Sequence, residues 1–107
     1  IYLLIVKIIS VYIYLLTEDF LGFGIKIGKR EHIKLEIPIK EIVRYESASE
    51  LEADTELSNT FYFIYGDPRE TTKFGEYYKE GKKYRFIFNP NERINRILER
   101  KLSSWGG

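Results

Sequence analysis

The chain has 107 residues, room for one domain with a single core. Its charged residues (31%) nearly cancel to +1, so strong whole-molecule attraction to nucleic acid or anionic lipid is not expected. It has no cysteine, which excludes disulfide scaffolds, thiolate metal sites and thiol catalysis. Aromatic residues reach 16%, and the Ile, Leu, Tyr and Phe that dominate the apolar set suit pleated, half-buried surfaces. Abundant Glu and Lys beside an absence of Gln, Cys and Met resembles the usage of hyperthermophile proteins.

Residues 1–16 are apolar or aromatic except for Lys7 and Ser10. A helix of that length would span about 24 Å, short of the ~30 Å hydrocarbon core, and no small-residue cleavage site follows as a signal peptide requires. Without a Met the chain reads as processed or excerpted, so two readings stand. The segment is a long buried strand, which its Ile, Val and Tyr content favours, or the tail of a membrane helix. Thr17-Glu18-Asp19 ends the run, and Gly22, Gly24 and Gly28 punctuate a short strand around Phe23 to Ile27. Lys29-Arg30-Glu31-His32 reads as a polar hairpin loop. Ile33, Leu35, Ile37 and Ile39 then alternate with Lys34, Glu36 and Lys40, the period of a strand with one buried face. Pro38 lacks a ladder donor and implies an edge or a bulge, after which residues 39–45 continue as a bent or new strand.

Residues 47–58 hold Glu50, Glu52, Asp54 and Glu56 with no basic residue, the composition of a mobile, solvated acidic loop. Phe61 to Tyr65 reads as a strand ended by Gly66-Asp67-Pro68. A weaker strand over Thr71 to Tyr78, a turn at Glu80-Gly81-Lys82 and a last strand at Tyr84 to Phe88 follow, with Tyr84, Phe86 and Phe88 on one face. Asn89 is placed to N-cap a helix, with Pro90 at its first position and Glu92 where a capping box wants a carboxylate. Ile94, Ile97, Leu98 and Leu102 recur at helical spacing, Trp105 extends the stripe, and Gly106 and Gly107 stop it. One helix cannot bury its stripe alone. The expected fold is therefore mainly β: a bent antiparallel sheet or small barrel of about six or seven strands, covered by one C-terminal helix.

Three stretches carry a family resemblance: Tyr12-Ile13-Tyr14-Leu15-Leu16-Thr17-Glu18-Asp19, the glycine-ended Ile25-Lys26-Ile27-Gly28, and Glu36-Ile37-Pro38-Ile39-Lys40-Glu41-Ile42-Val43-Arg44-Tyr45-Glu46. In this order they resemble the prokaryotic pleckstrin-homology-like domains. There a strand ending in a Thr-x-Asp-like turn precedes a Gly-ended strand and an Ile-Pro-x-x-x-Ile segment, and a last strand runs into a C-terminal helix. The resemblance spans about residues 11–103. It implies a small barrel, no enzyme activity and no catalytic residues. Such domains often follow membrane helices, which implies a cytoplasmic location or the cytoplasmic face of a membrane.

The residues themselves offer little chemistry. His32 is the one histidine, on a loop and without a nucleophile-elbow Ser, so a solvated residue is the plainer reading than a triad member. No spacing argues for zinc, and the acidic loop lacks the spaced Asp/Asn and central Gly of a calcium site, so no metal or cofactor is expected. Gly22-Phe23-Gly24 opens no helix and is not followed by Gly-Lys-Ser/Thr, which leaves turn or bulge duty. Two basic groups remain. Lys29, Arg30 and Lys34 correspond by resemblance to the basic loop that binds inositol phosphates in eukaryotic pleckstrin-homology domains, diluted here by Glu31 and Glu36. Lys82, Lys83, Arg85, Arg93, Arg96 and Arg100 form a second surface for nucleic acid or anionic lipid, beside aromatics that could stack bases but more simply fill a core. The ranking that results puts first a non-catalytic interaction module, with a protein partner or self-association, or membrane proximity through an upstream segment. Nucleic-acid or lipid binding comes second and an enzyme third.

Overall fold

The computed structural model describes residues 10–64 and 68–106. Among the described residues lie seven strands and one α-helix: β1 (Ser10–Leu16), β2 (Phe20–Ile27), β3 (Arg30–Pro38), β4 (Ile42–Ser47), β5 (Leu57–Phe63), β6 (Lys73–Lys79), β7 (Lys82–Phe88) and α1 (Glu92–Gly106). The strands form two sheets, β1-β2-β3 and β4-β6-β7-β5, rather than one closed barrel. The mainly β fold with a C-terminal helix is as expected. Of the first sixteen residues, Ser10–Leu16 is a strand in register with β2, Tyr12 opposite Ile25 and Tyr14 opposite Phe23. Residues 1–9, and the Tyr65, Gly66 and Asp67 of the expected strand end and turn, lie outside the described residues.

The inner faces of the two sheets share one core. Leu21, Phe23 and Ile37 meet Phe63, Tyr77, Phe86 and Phe88, with Ile39, Ile42 and Leu98 of the helix closing the end. Phe23 sits at its centre, stacked on Phe63 at 4.4 Å and edge-on to Phe88 at 5.1 Å. Each such aromatic pair adds about 0.5–1.5 kcal/mol beyond the area it buries. Phe86 and Phe88 are fully buried, so the alternating aromatics of β7 are core and not a stacking platform. Tyr14 ties the sheets together at the same level: its hydroxyl donates to the Phe63 carbonyl at 2.5 Å and accepts from the Asn89 amide at 3.2 Å.

Three local expectations are corrected. The β2–β3 turn is Gly28–Lys29, Gly28 at φ +62°, so Arg30, Glu31 and His32 belong to β3 rather than to a loop. Within β3 the register shifts opposite Phe23 and Gly24: Leu35 faces Phe23, but Ile33, not Lys34, faces Gly24. That bulge breaks the alternation, and Ile33, expected inside with Leu35 and Ile37, is 44% exposed. Gly24 is required there, since a Cβ would stand 2.5 Å from the His32 carbonyl oxygen. The helix starts later than its cap residues implied. Asn91, not Asn89, caps it, accepting from the Ile94 amide at 2.8 Å, while the Asn89 side-chain oxygen instead accepts from the Thr71 hydroxyl at 2.6 Å. Glu92 therefore makes an i,i+4 pair with Arg96 instead of a capping box.

The larger correction is topological. β5 pairs with β7 in parallel, whereas an antiparallel order was expected throughout. β4 is antiparallel to β6, and β6 to β7, so β4 and β5 point the same way from opposite edges of one sheet. The chain between them must return across the sheet. Residues 48–56 do so.

Candidate interaction surfaces

The acidic segment forms a strap over the outer face of the four-stranded sheet. A 3-10 turn, Ala48–Glu50, starts it, with buried Ala48 donating its amide to the Thr72 carbonyl at 2.9 Å. Further on Glu52 reaches Arg44 at 3.2 Å, and Asp54 takes the Lys83 ammonium at 2.7 Å. The backbone of Asp54 then accepts from the Leu57 amide, where β5 begins. The expectation of a solvated loop holds for Glu50 and Glu56, which are exposed, and fails for Asp54.

Beneath the strap a row of side chains crosses the sheet, Arg44 of β4, Glu76 of β6, Arg85 of β7 and Thr60 of β5, each the register partner of the next. Glu76 is 1% exposed and Arg85 6%, and one Glu76 oxygen accepts from the Arg85 Nε at 2.9 Å and Nη2 at 2.6 Å. Lys83 (3.4 Å) and Arg44 (3.9 Å) face the other oxygen. The Arg44 and Arg85 guanidiniums lie 4.9 and 5.2 Å from the centre of the fully buried Phe74 ring. Charge so deeply desolvated survives only when paired this completely. The hydrogen bond from Lys83 holds the Asp54 carboxyl below its ordinary range and the same bond raises Lys83, while the hydrogen bond to Glu46 raises Arg44. On the core side burial raises Tyr77 to about 12 and raises Tyr45 further, and the Tyr45 hydroxyl donates to the Asn95 side chain of α1 at 2.6 Å.

This geometry divides the basic residues read from sequence. Lys83 and Arg85 are spent in the network, and Arg96 pairs with Glu92. Only Lys82, Arg93 and Arg100 of that group are exposed without a hydrogen bond or ion pair among the described residues, at one hairpin and on the helix, so six cations do not make one surface. Lys29, Arg30 and Lys34 are all exposed at the β2–β3 hairpin and along β3, with Glu31 and Glu36 beside them. His32 is exposed in β3 opposite Ile25. Among the described residues no three His, Asp or Glu side chains converge as metal ligands do, and no helix is long and apolar enough to cross a membrane.

Arg44, Glu76 and Asp54 escape a reading by sequence because nothing local distinguishes a solvated charge from one beneath a crossover. One signal is there. Arg85 and Glu76 each occupy a strand flanked by aromatics, and the ten or so residues before β5 suit a crossover better than a hairpin. Large apolar side chains are left outside on both sheets: Leu15, Phe20 and Ile33 on the first, Val43, Tyr62 and Tyr78 on the second, from 43% (Phe20) to 62% (Tyr62) exposed. No protein-family model, curated protein or solved structure matches the chain.

Proposed function

We propose that the chain is a non-catalytic interaction module of pleckstrin-homology-like type that presents its sheet surfaces to a protein partner or a membrane-proximal assembly on the cytoplasmic side. The observation that carries this is the set of six large apolar side chains standing in solvent on the outer sheet faces. Two facing sheets, the Pro38 corner and the closing helix support the family likeness, and the parallel β5–β7 pair departs from a simple antiparallel order. Anion binding through Lys82, Lys83, Arg85, Arg93, Arg96 and Arg100 is the weaker reading, since its two most central cations already neutralise Glu76 and Asp54.

The test is photo-cross-linking in cells of the source organism, with the reactive group placed at Ile33, Tyr62 or Tyr78 and, as a control, at exposed Glu50. Adducts confined to the apolar positions are expected. Equal labelling at Glu50 would sink the proposal.

A further inference from the structure

β5 hydrogen-bonds to β7 on one side, and among the described residues no strand lies on its other side. An open edge presents unpaired N–H and C=O groups, and proteins guard such edges with charge, proline or bulges. β3, an edge of the other sheet, has all three guards: Arg30, Glu31, Lys34 and Glu36, then Pro38, and the bulge opposite Gly24. β4 carries Arg44 and Glu46. β5 reads Leu-Ser-Asn-Thr-Phe-Tyr-Phe, with no charge, Pro or Gly, and its one irregularity is a register shift between Leu57 and Asn59, at its first residues. β1 is also uncharged, but its Tyr12 and Tyr14 rest against Phe63 at the end of β5. Past that shift residues 59–62 have no described strand beside them, with Asn59 and Tyr62 exposed and the Thr60 amide donating to the Asn59 side chain at 2.9 Å.

We propose that this edge pairs with β5 of a second copy, antiparallel about a two-fold axis at Thr60, joining the two four-stranded sheets into one. The claim rests on the interaction role proposed above and names its partner. The strand's own sequence argues for a like copy. An uncharged edge meets itself without the like-charge repulsion that β3 or β4 would bring. Small polar residues, Ser58 and Asn59, precede Thr60 and rings, Phe61 and Tyr62, follow it. The two-fold sets Ser58 opposite Tyr62 and Asn59 opposite Phe61, so each ring meets a short side chain. A parallel pairing would set ring on ring.

Sedimentation velocity on the purified chain over a concentration series tests this, with far-UV circular dichroism reporting the fold. A dimer is expected. Thr60→Lys, which brings two ammonium groups face to face, weakens it by about tenfold or more with the spectrum unchanged. Because the chain has no cysteine, Thr60→Cys should form an interchain disulfide under mild oxidation while Lys34→Cys on the guarded edge does not. That readout stands even where Thr60→Lys fails to fold. A monomer at every concentration overturns the proposal, as does a dimer that withstands Thr60→Lys but dissociates with Ile33→Lys. In either case, adducts confined to Ile33, Tyr62 and Tyr78 in cells would leave the interaction role standing with a different partner or surface.

Discussion

The two sheets are built from similar alternating strands, yet their outer faces treat charge in opposite ways. On the first sheet Lys34 and Glu36 stand in water beside exposed Ile33, and nothing described covers them. On the second, Glu76 and Arg85 occupy equivalent outward positions and are almost wholly buried, because the chain crosses over them. A charged residue on the solvent side of a strand is thus not a surface residue until the path of the connecting loops is known.

The sharpest way to break this contrast is Glu76→Ala. It leaves Arg85 buried without its partner, and a loss of about 3–5 kcal/mol is expected in urea unfolding. Lys34→Ala on the open face should stay within about 0.5 kcal/mol. The double change Glu76→Leu with Arg85→Met should recover most of the loss, since an apolar pair of similar volume avoids the desolvation that the ion pair carries. Full destabilisation in the double variant would show that the strap needs the charges themselves. On the first sheet, Gly24→Ala forces a methyl group against the His32 carbonyl, and about 1–3 kcal/mol is expected from calorimetry or denaturant melts. A neutral outcome would mean the bulge relaxes easily. Tyr14→Phe, between the sheets, removes the partner of the Phe63 carbonyl and the Asn89 amide and should cost about 1–3 kcal/mol.

The smallest effect is the strap's dependence on acid. The folded state holds the Asp54 carboxyl below its ordinary range, so its contribution is complete above that range and drains away as pH falls through it to the lowered value. Wild type should therefore exceed Asp54→Asn in stability at neutral pH, and the two should converge on acidification. Parallel curves from pH 7 to pH 2 would remove Asp54 from the strap's hold.

Local physics made much of this legible in the sequence. The helix stripe of Ile94, Leu98 and Leu102, the turn at Glu80 and Gly81 (both at positive φ) and the aromatic core face of β7 are each set by neighbours within a few residues. What stayed hidden depends on partners far along the chain. Ile33 left the core because of a bulge against Gly24, the Asn89 side chain was taken by the Thr71 hydroxyl rather than by a helix amide, and β5 joined a strand that comes after it. The candidate surfaces suffered most, since Lys83 and Arg85 look free until the strap is laid over them. Of the two glycines around Phe23, expected in turn or bulge duty, Gly24 sits at the bulge and Gly22 in regular register.

The chain order of β5 has a consequence for how the molecule is made. It leaves the ribosome before β6 and β7 exist, so a strand of seven uncharged residues must wait for a hairpin not yet synthesised. Such a stretch invites misassembly with any neighbouring nascent chain. Glu50, Glu52, Asp54 and Glu56 emerge immediately ahead of it, where like charge opposes such association. Glu52 and Asp54 later fasten the strap, and neutralising all four carboxylates should lower the yield of folded protein beyond what the loss of those two pairs accounts for.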